Sequence, residues 1–357
     1  MSNNQFSSVS LGVFFGAMFL MAAVDLVSAQ STPKESLLAL SKRDHTLAIV
    51  DPSSLRVIAK MPSGNDPHEV VASSDGGTAY ISNYGFGAFN TITPVDLKAQ
   101  KSLAAIDLGA LRGPHGLNFV GGKVWFTAEA SKAIGSYDPA SQKIDFILGT
   151  GQNRTHMLYV FHDLKRIITT NVNSGTVSII DKLPPPAPPH APGAPPFGPG
   201  GQIMPPTGDW NETVVKVGNG DEGFDVSPDH KETWAANAKD GTISVIDVTA
   251  KQVNATLQAN IPGANRLKFT PDGSRVFVSS LANGDVLVLD AHTQKEIKRI
   301  KLCHGAAGIQ MQPDGTRVFI ACSRDNYIAV INIKTLEEQG RIDVGPEPDG
   351  MAWSVIQ

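Results

Sequence analysis

Residues 265–280 read NRLKFTPDGSRVFVSS. Apolar side chains alternate at Leu267 and Phe269, and again at Val276 and Val278, with Pro-Asp-Gly between the two runs. A period of two marks a strand with one buried face, and Pro-Asp-Gly is turn chemistry, so the stretch reads as strand, tight turn, strand. The pattern recurs in HEVVASSDGGTAYISN (68–83), EGFDVSPDHKETWAAN (222–237) and AGIQMQPDGTRVFIAC (307–322). A third strand ends on an acid or amide in each unit, at Asp51, Asp96, Asp138, Asp181, Asp247, Asp290 and Asn332.

Those end residues are spaced by 45, 42, 43, 66, 43 and 42 residues. Seven units of this length, each with four short strands, predict an all-β chain folded as a seven-bladed β-propeller with four antiparallel strands per blade. The C-terminal DGMAWSVI (349–356) is a lone first strand, and residues 37–64 supply three more. One blade closed by N-terminal strands and a C-terminal first strand would leave no exposed sheet edge between the ends. The long interval holds residues 183–209, with PPPAPPHAPGAPPFGPGG. Proline cannot donate to a sheet ladder, so this segment is expected as a protruding Pro-rich loop inserted within one blade.

The chain has 357 residues, 41% of them hydrophobic, with 34 Gly and 24 Pro, enough to bury a large core between many turns. Lys and Arg number 30 against 34 Asp and Glu, so there is no basic footprint for nucleic acid. The apolar run LGVFFGAMFLMAAV (11–24) is short for a membrane span and precedes the small residues Val27-Ser28-Ala29. It reads as a signal peptide over residues 1–29, although MSNNQFSSVS lacks the usual positive charge, and an uncleaved anchor is the alternative. The mature propeller, residues 30–357, is then expected to be secreted or periplasmic and monomeric, with no stable membrane span after cleavage.

The repeats resemble the YVTN-type propeller units of YncE-like proteins, through Ser227-Pro228-Asp229 and Thr270-Pro271-Asp272-Gly273. One unit, residues 116–144, is similar to the repeat of virginiamycin B lyase and related propellers, with Trp125-Phe126-Thr127 followed by Ile134-Gly135. The resemblance covers nearly all of the mature chain. It implies the fold, and a function drawn from enzymes and binding proteins alike.

In such a blade the first strand lines the central channel. The residues heading the seven first strands are His68, His115, His156, Glu222, Asn265, Ala307 and Asp349, expected to ring the channel mouth. His68, His115, His156 and Glu222 form a candidate first shell for a divalent metal ion, since neutral imidazole and carboxylate suit transition metals. The other reading is a polar ring that caps strand ends and contacts water. If there is chemistry, the catalytic candidates are Arg154, His156 and Glu222, with Arg154 holding a carboxylate and His156 binding metal or acting as a base. Arg112, Glu129, Asn153, Asn171, Arg266, His304, Arg324 and Asp349 join the same face as ligand-binding candidates, suited to an anionic or polyhydroxylated small molecule or a peptide. The seven Asp/Asn residues ending third strands are assigned to turn capping, without chemistry.

Cys303 and Cys322 are the only cysteines, and in an exported protein a disulfide between them is the default expectation. Two functions follow. One is an exported propeller that binds a ligand at its top-face funnel, with or without a divalent metal. The alternative is a metal-dependent lyase or hydrolase, lactonase-like or virginiamycin B lyase-like, using the channel-mouth His/Glu ring.

Overall fold

The structure is a computed structural model that describes residues 1–2, 30–184 and 209–357. The expected signal peptide and nearly all of the Pro-rich insert lie outside the described residues. The chain divides into residues 1–30 and 31–357, and the second unit is the propeller. No helix among the described residues is long and apolar enough to cross a membrane.

Seven antiparallel sheets form the ring, six of them meanders of consecutive strands and the seventh joining the last strand to the first three. Their inner strands are Pro67–Ala72, Pro114–Val120, Thr155–Val160, Asp221–Val226, Ala264–Phe269, Ala306–Met311 and Pro348–Val355, which we take as heading blades 1 to 7. In blade 1 the fourth strand is broken into Lys101–Ser102 and Ile106–Asp107, both paired with Thr91–Asp96. Blade 7 is closed as the repeat pattern requires: Pro348–Val355 pairs antiparallel with Glu35–Ser41, placing Leu37 opposite Trp353 and Leu38 opposite Ala352.

The alternating strands bury their apolar faces between blades. Phe277, Val286 and Val288 of blade 5 pack on Ile309, Val318 and Ile320 of blade 6. Leu38, Ile49 and Met61 of blade 7 pack on Val70, Ile81 and Val95 of blade 1, so the ring closure has a core like every other junction. Each blade is too thin to hide both faces alone, and stability comes from stacking neighbours.

The residues ending third strands behave as turn caps in six units. Asp51 Oδ1 accepts the N–H of Ser53 at 2.9 Å, Asp290 that of His292 at 3.0 Å, and Asn332 that of Lys334 at 2.9 Å. Asp96, Asp138 and Asp247 do the same. Asp181 precedes the Pro-rich segment and no such turn; it is bound instead by Arg166 Nε at 2.5 Å and Lys251 Nζ at 2.6 Å.

Leu38 is fully buried at the closing junction. Leu38→Ala is expected to lower stability by about 2–5 kcal/mol through lost burial and a residual cavity, read as a lower urea midpoint at unchanged slope. An unchanged midpoint would mean that blade 7 is not closed through this strand.

Candidate functional site

All seven residues heading the inner strands line one cavity of about 600 Å³ at the channel mouth. Two local devices draw them together. Hydroxyls on second strands bind the carbonyl of the next blade's head residue: Ser82 Oγ to His115 O at 2.8 Å, Thr127 Oγ1 to His156 O at 2.7 Å, and Ser279 Oγ to Ala307 O at 2.6 Å. The residue after several heads is glycine, and there the inner strands nearly touch. A Cβ on Gly116 would lie 2.7 Å from the carbonyl oxygen of His156. The funnel is therefore narrow where the histidines stand.

His115 and His156 have ring centroids 3.8 Å apart, and His68 follows 5.0 Å from His115. His156 is wholly buried between two carboxylates. Its Nδ1 hydrogen-bonds to Glu129 Oε1, and its Nε2 lies 3.1 Å from Glu222 Oε2 but outside hydrogen-bond geometry. Glu129 in turn accepts the Tyr84 hydroxyl, and Arg154 reaches Glu129 at 3.4 Å and Glu222 at 3.0 Å. Nδ1 of His115 is also buried without a partner. His156 Nε2 still has the Glu222 carboxylate beside it, whereas a buried imidazole nitrogen with no partner, as on His115, is costly unless something else binds it.

The charge states follow from these neighbours. Burial, reinforced by His156 and His68, pushes His115 well below its ordinary pKa and leaves a neutral imidazole. Burial opposes charge on His156 too, but Glu222 and Glu129 overcome it and raise its pKa. Glu129 is pushed up by burial, yet its hydrogen bonds from His156 and Tyr84 and the charge of Arg154 hold it below the usual value. Glu222, opposed by the same burial, is held far down by His156 and Arg154.

His115, Glu129 and His156 each offer one donor atom, all within 4.8 Å of one another. This differs from the expected set of His68, His115, His156 and Glu222. Nε2 of His68 accepts from Lys42 Nζ at 2.9 Å, so its lone pair is taken, and Glu222 meets Nε2 of His156, not the Nδ1 that faces Glu129. Glu129 arrives from a second-to-third-strand turn, Glu129–Ser131, packed beneath His156.

Of the remaining candidates, Arg154, Arg266, Arg324 and Asp349 line the cavity. Arg266 is buried and ion-paired to Glu69, spanning the channel from blade 5 to blade 1. Asn171 is turned into its own blade, where it donates to Thr176 at 3.2 Å and Ser178 at 2.9 Å. Arg112 holds the Ala88 carbonyl at 2.5 Å, and Asn153 uses its backbone N–H on Ser174. His304 is exposed on Asp325. None of these four lines the cavity. Sequence reasoning passed over Glu69 and Phe86, whose only signals are a charged residue inside an inner strand and a Gly-Phe-Gly triplet.

Cys303 and Cys322 stand as two thiols, not as the expected disulfide, with Cys322 buried and Cys303 half-buried. They are neighbours nonetheless: a hydrogen bond from Cys322 draws the Cys303 thiol below its ordinary pKa.

A family model described as the cytochrome D1 heme domain matches residues 203–315. No curated protein matches the sequence. Among solved structures, a functionally unknown protein from Desulfotomaculum acetoxidans DSM 771 has TM-score 0.69 and 12% identity, covering 90% of this chain and 99% of that one. The hydrazine synthase of Kuenenia stuttgartiensis has TM-score 0.62 and 15% identity, covering 80% and 89%. The dihydro-heme d1 dehydrogenase NirN has TM-score 0.61 and 15% identity, covering 92% and 76%. At these identities the likeness is one of fold. The segment matching the heme-domain model gives the cavity Glu222, Asn265, Arg266, Leu281 and Ala307, and no histidine. A histidine serves as an axial haem ligand only with a ring nitrogen free toward an open slot. His115 and His156 are packed ring on ring and Lys42 occupies His68, so these residues suit a compact ion and do not fit the macrocycle.

Asp221, beside Glu222, is buried with Oδ2 accepting the Asn171 N–H at 3.0 Å and Oδ1 unpartnered. Burial pushes its carboxyl up to about 7. The folded state therefore holds a proton that the unfolded state has released, and stability falls as pH rises from the ordinary Asp range to about 7. Asp221→Asn is expected to remove that fall, gaining on wild type in thermal stability at pH 8 but not at pH 4. Parallel melting profiles across this range would contradict the assignment.

Proposed function

We propose that this chain is an exported propeller that binds a small ligand in its top-face funnel, with a divalent transition metal ion on His115, Glu129 and His156. The observation that carries the reading is the buried His-Glu-His cluster, with Nδ1 of His115 unpartnered, at a cavity lined by charged side chains. Neutral His115 is already in the ligating form. His156 would lose its proton on binding, as the proton shared with Glu129 is replaced by the ion. Bound there, the ion would supply Lewis acidity toward an oxygen atom of the ligand. Arg154, fixed by Glu129 and Glu222, would orient an anionic group, and Tyr84 would hold Glu129 in place.

A metal-dependent lyase or hydrolase is the second reading. It would draw on the ion's Lewis acidity beside the cavity wall, with Arg154 and Glu222 placing the substrate's polar groups; Glu222 itself, held far down by His156 and Arg154, is too weak a base to take a proton near neutral pH.

Elemental analysis of protein purified without chelator tests the metal. About one divalent ion per chain is expected in wild type, with His115→Ala and His156→Ala each losing most of it; metal-free wild type that takes up no added zinc, cobalt or copper would overturn the reading. Chelation is expected to abolish turnover under the enzymatic reading.

Export would place Cys303 and Cys322, already neighbours, in an oxidising compartment, and we propose that they pair there. Denatured, unreduced protein isolated from that compartment is expected to titrate no free thiol, whereas two thiols per chain would refute the pairing.

A further inference from the structure

Phe86 stands at the cavity mouth, 86% exposed, in the turn Gly85–Gly87. Its backbone is left-handed, at φ 50° and ψ 38°, a conformation that bulky residues rarely take. The turn is nonetheless firmly held. Arg112 Nη2 donates to Ala88 O at 2.5 Å, Gly113 N donates to Phe89 O at 2.7 Å, and Glu129 N donates to Gly113 O at 2.9 Å. The lip that presents Phe86 and the turn that carries Glu129 are thus braced on one another.

Phe86 continues an aromatic wall. Its ring lies 5.7 Å from Tyr84 and 6.5 Å from His68, and Tyr84 meets His68 at 4.7 Å and His115 at 5.0 Å. Elsewhere the lining carries cations and carboxylates together; Lys42, Arg154 and Arg266 are ion-paired, while Arg324 donates to the backbone carbonyls of Ala282 and His304. The Phe86 ring meets Tyr84 and His68 on one side and otherwise stands exposed on a pinned, unfavourable backbone, an apolar surface left uncovered in the free protein. An aromatic ring laid on it would cover that surface, while an acid group on the same ligand would reach the guanidinium of Arg324, which pairs with no carboxylate among the described residues.

We propose that Phe86 is a specificity-determining residue that stacks on the ring of a small aryl carboxylate bound in the funnel. The inference rests on the funnel being a ligand site, as proposed above, and names the class of ligand. Calorimetric titration of the zinc-loaded full chain with phenylacetate and with acetate tests it. Phenylacetate is expected to bind wild type more tightly than acetate. Phe86→Ala should weaken phenylacetate about fivefold while leaving acetate unchanged, and Phe86→Trp should restore the aryl preference. Zinc content should be the same in all three proteins, since Phe86 is not in the metal cluster. Equal phenylacetate affinity in wild type and Phe86→Ala, or no binding of phenylacetate to wild type, overturns the inference. Failure of wild type to hold zinc would count against the metal instead, and the same titrations on the metal-free chain would still decide the role of Phe86.

Discussion

The structure depends on how closely neighbouring inner strands approach the channel axis. At Gly350 a side chain would place its Cβ 2.2 Å from the carbonyl oxygen of His68, and Gly116 faces His156 in the same way. Missing side chains at these points let each inner strand lean on the next, and second-strand hydroxyls clamp the contact. The head residues of seven blades are thereby brought within side-chain reach, where a looser ring would leave them separated by water. The 3.8 Å spacing of two imidazoles from different blades is a direct result.

The energetic organisation follows the same geometry. Apolar side chains are buried between blades, so each junction stabilises two blades and none is dispensable. Closing the ring with strands from both chain ends removes the last open junction. A site assembled at the axis from several blades is then as rigid as the ring itself, which is the condition for holding donors at ligand distance before anything binds.

Charge in the funnel is largely paired before any ligand arrives. Arg266 and Glu69 form a strut across the channel, Lys42 lies 3.4 Å from Asp349, and Arg154 bridges two carboxylates. Pairing keeps the buried charges from the cost of isolation. It also separates roles. His115 stays neutral because burial is reinforced by nearby positive charge, whereas His156, between carboxylates, takes a proton.

Blade number, ring closure, the capping role of six of the seven residues that end third strands and the identity of the seven head residues were legible in the sequence. They rest on period-two alternation, turn chemistry and repeat spacing, all of which are local properties of the chain. Which polar side chains reach the axis was not legible. Asn171 is the last residue of its second strand and donates to hydroxyls inside its blade, whereas Glu129, the first residue after its own second strand, hydrogen-bonds His156. His68 heads its strand as His156 does, but Lys42 from the neighbouring blade claims its lone pair. Side-chain direction at a shared axis is set by neighbours tens to hundreds of residues away, so only the tertiary structure could decide it.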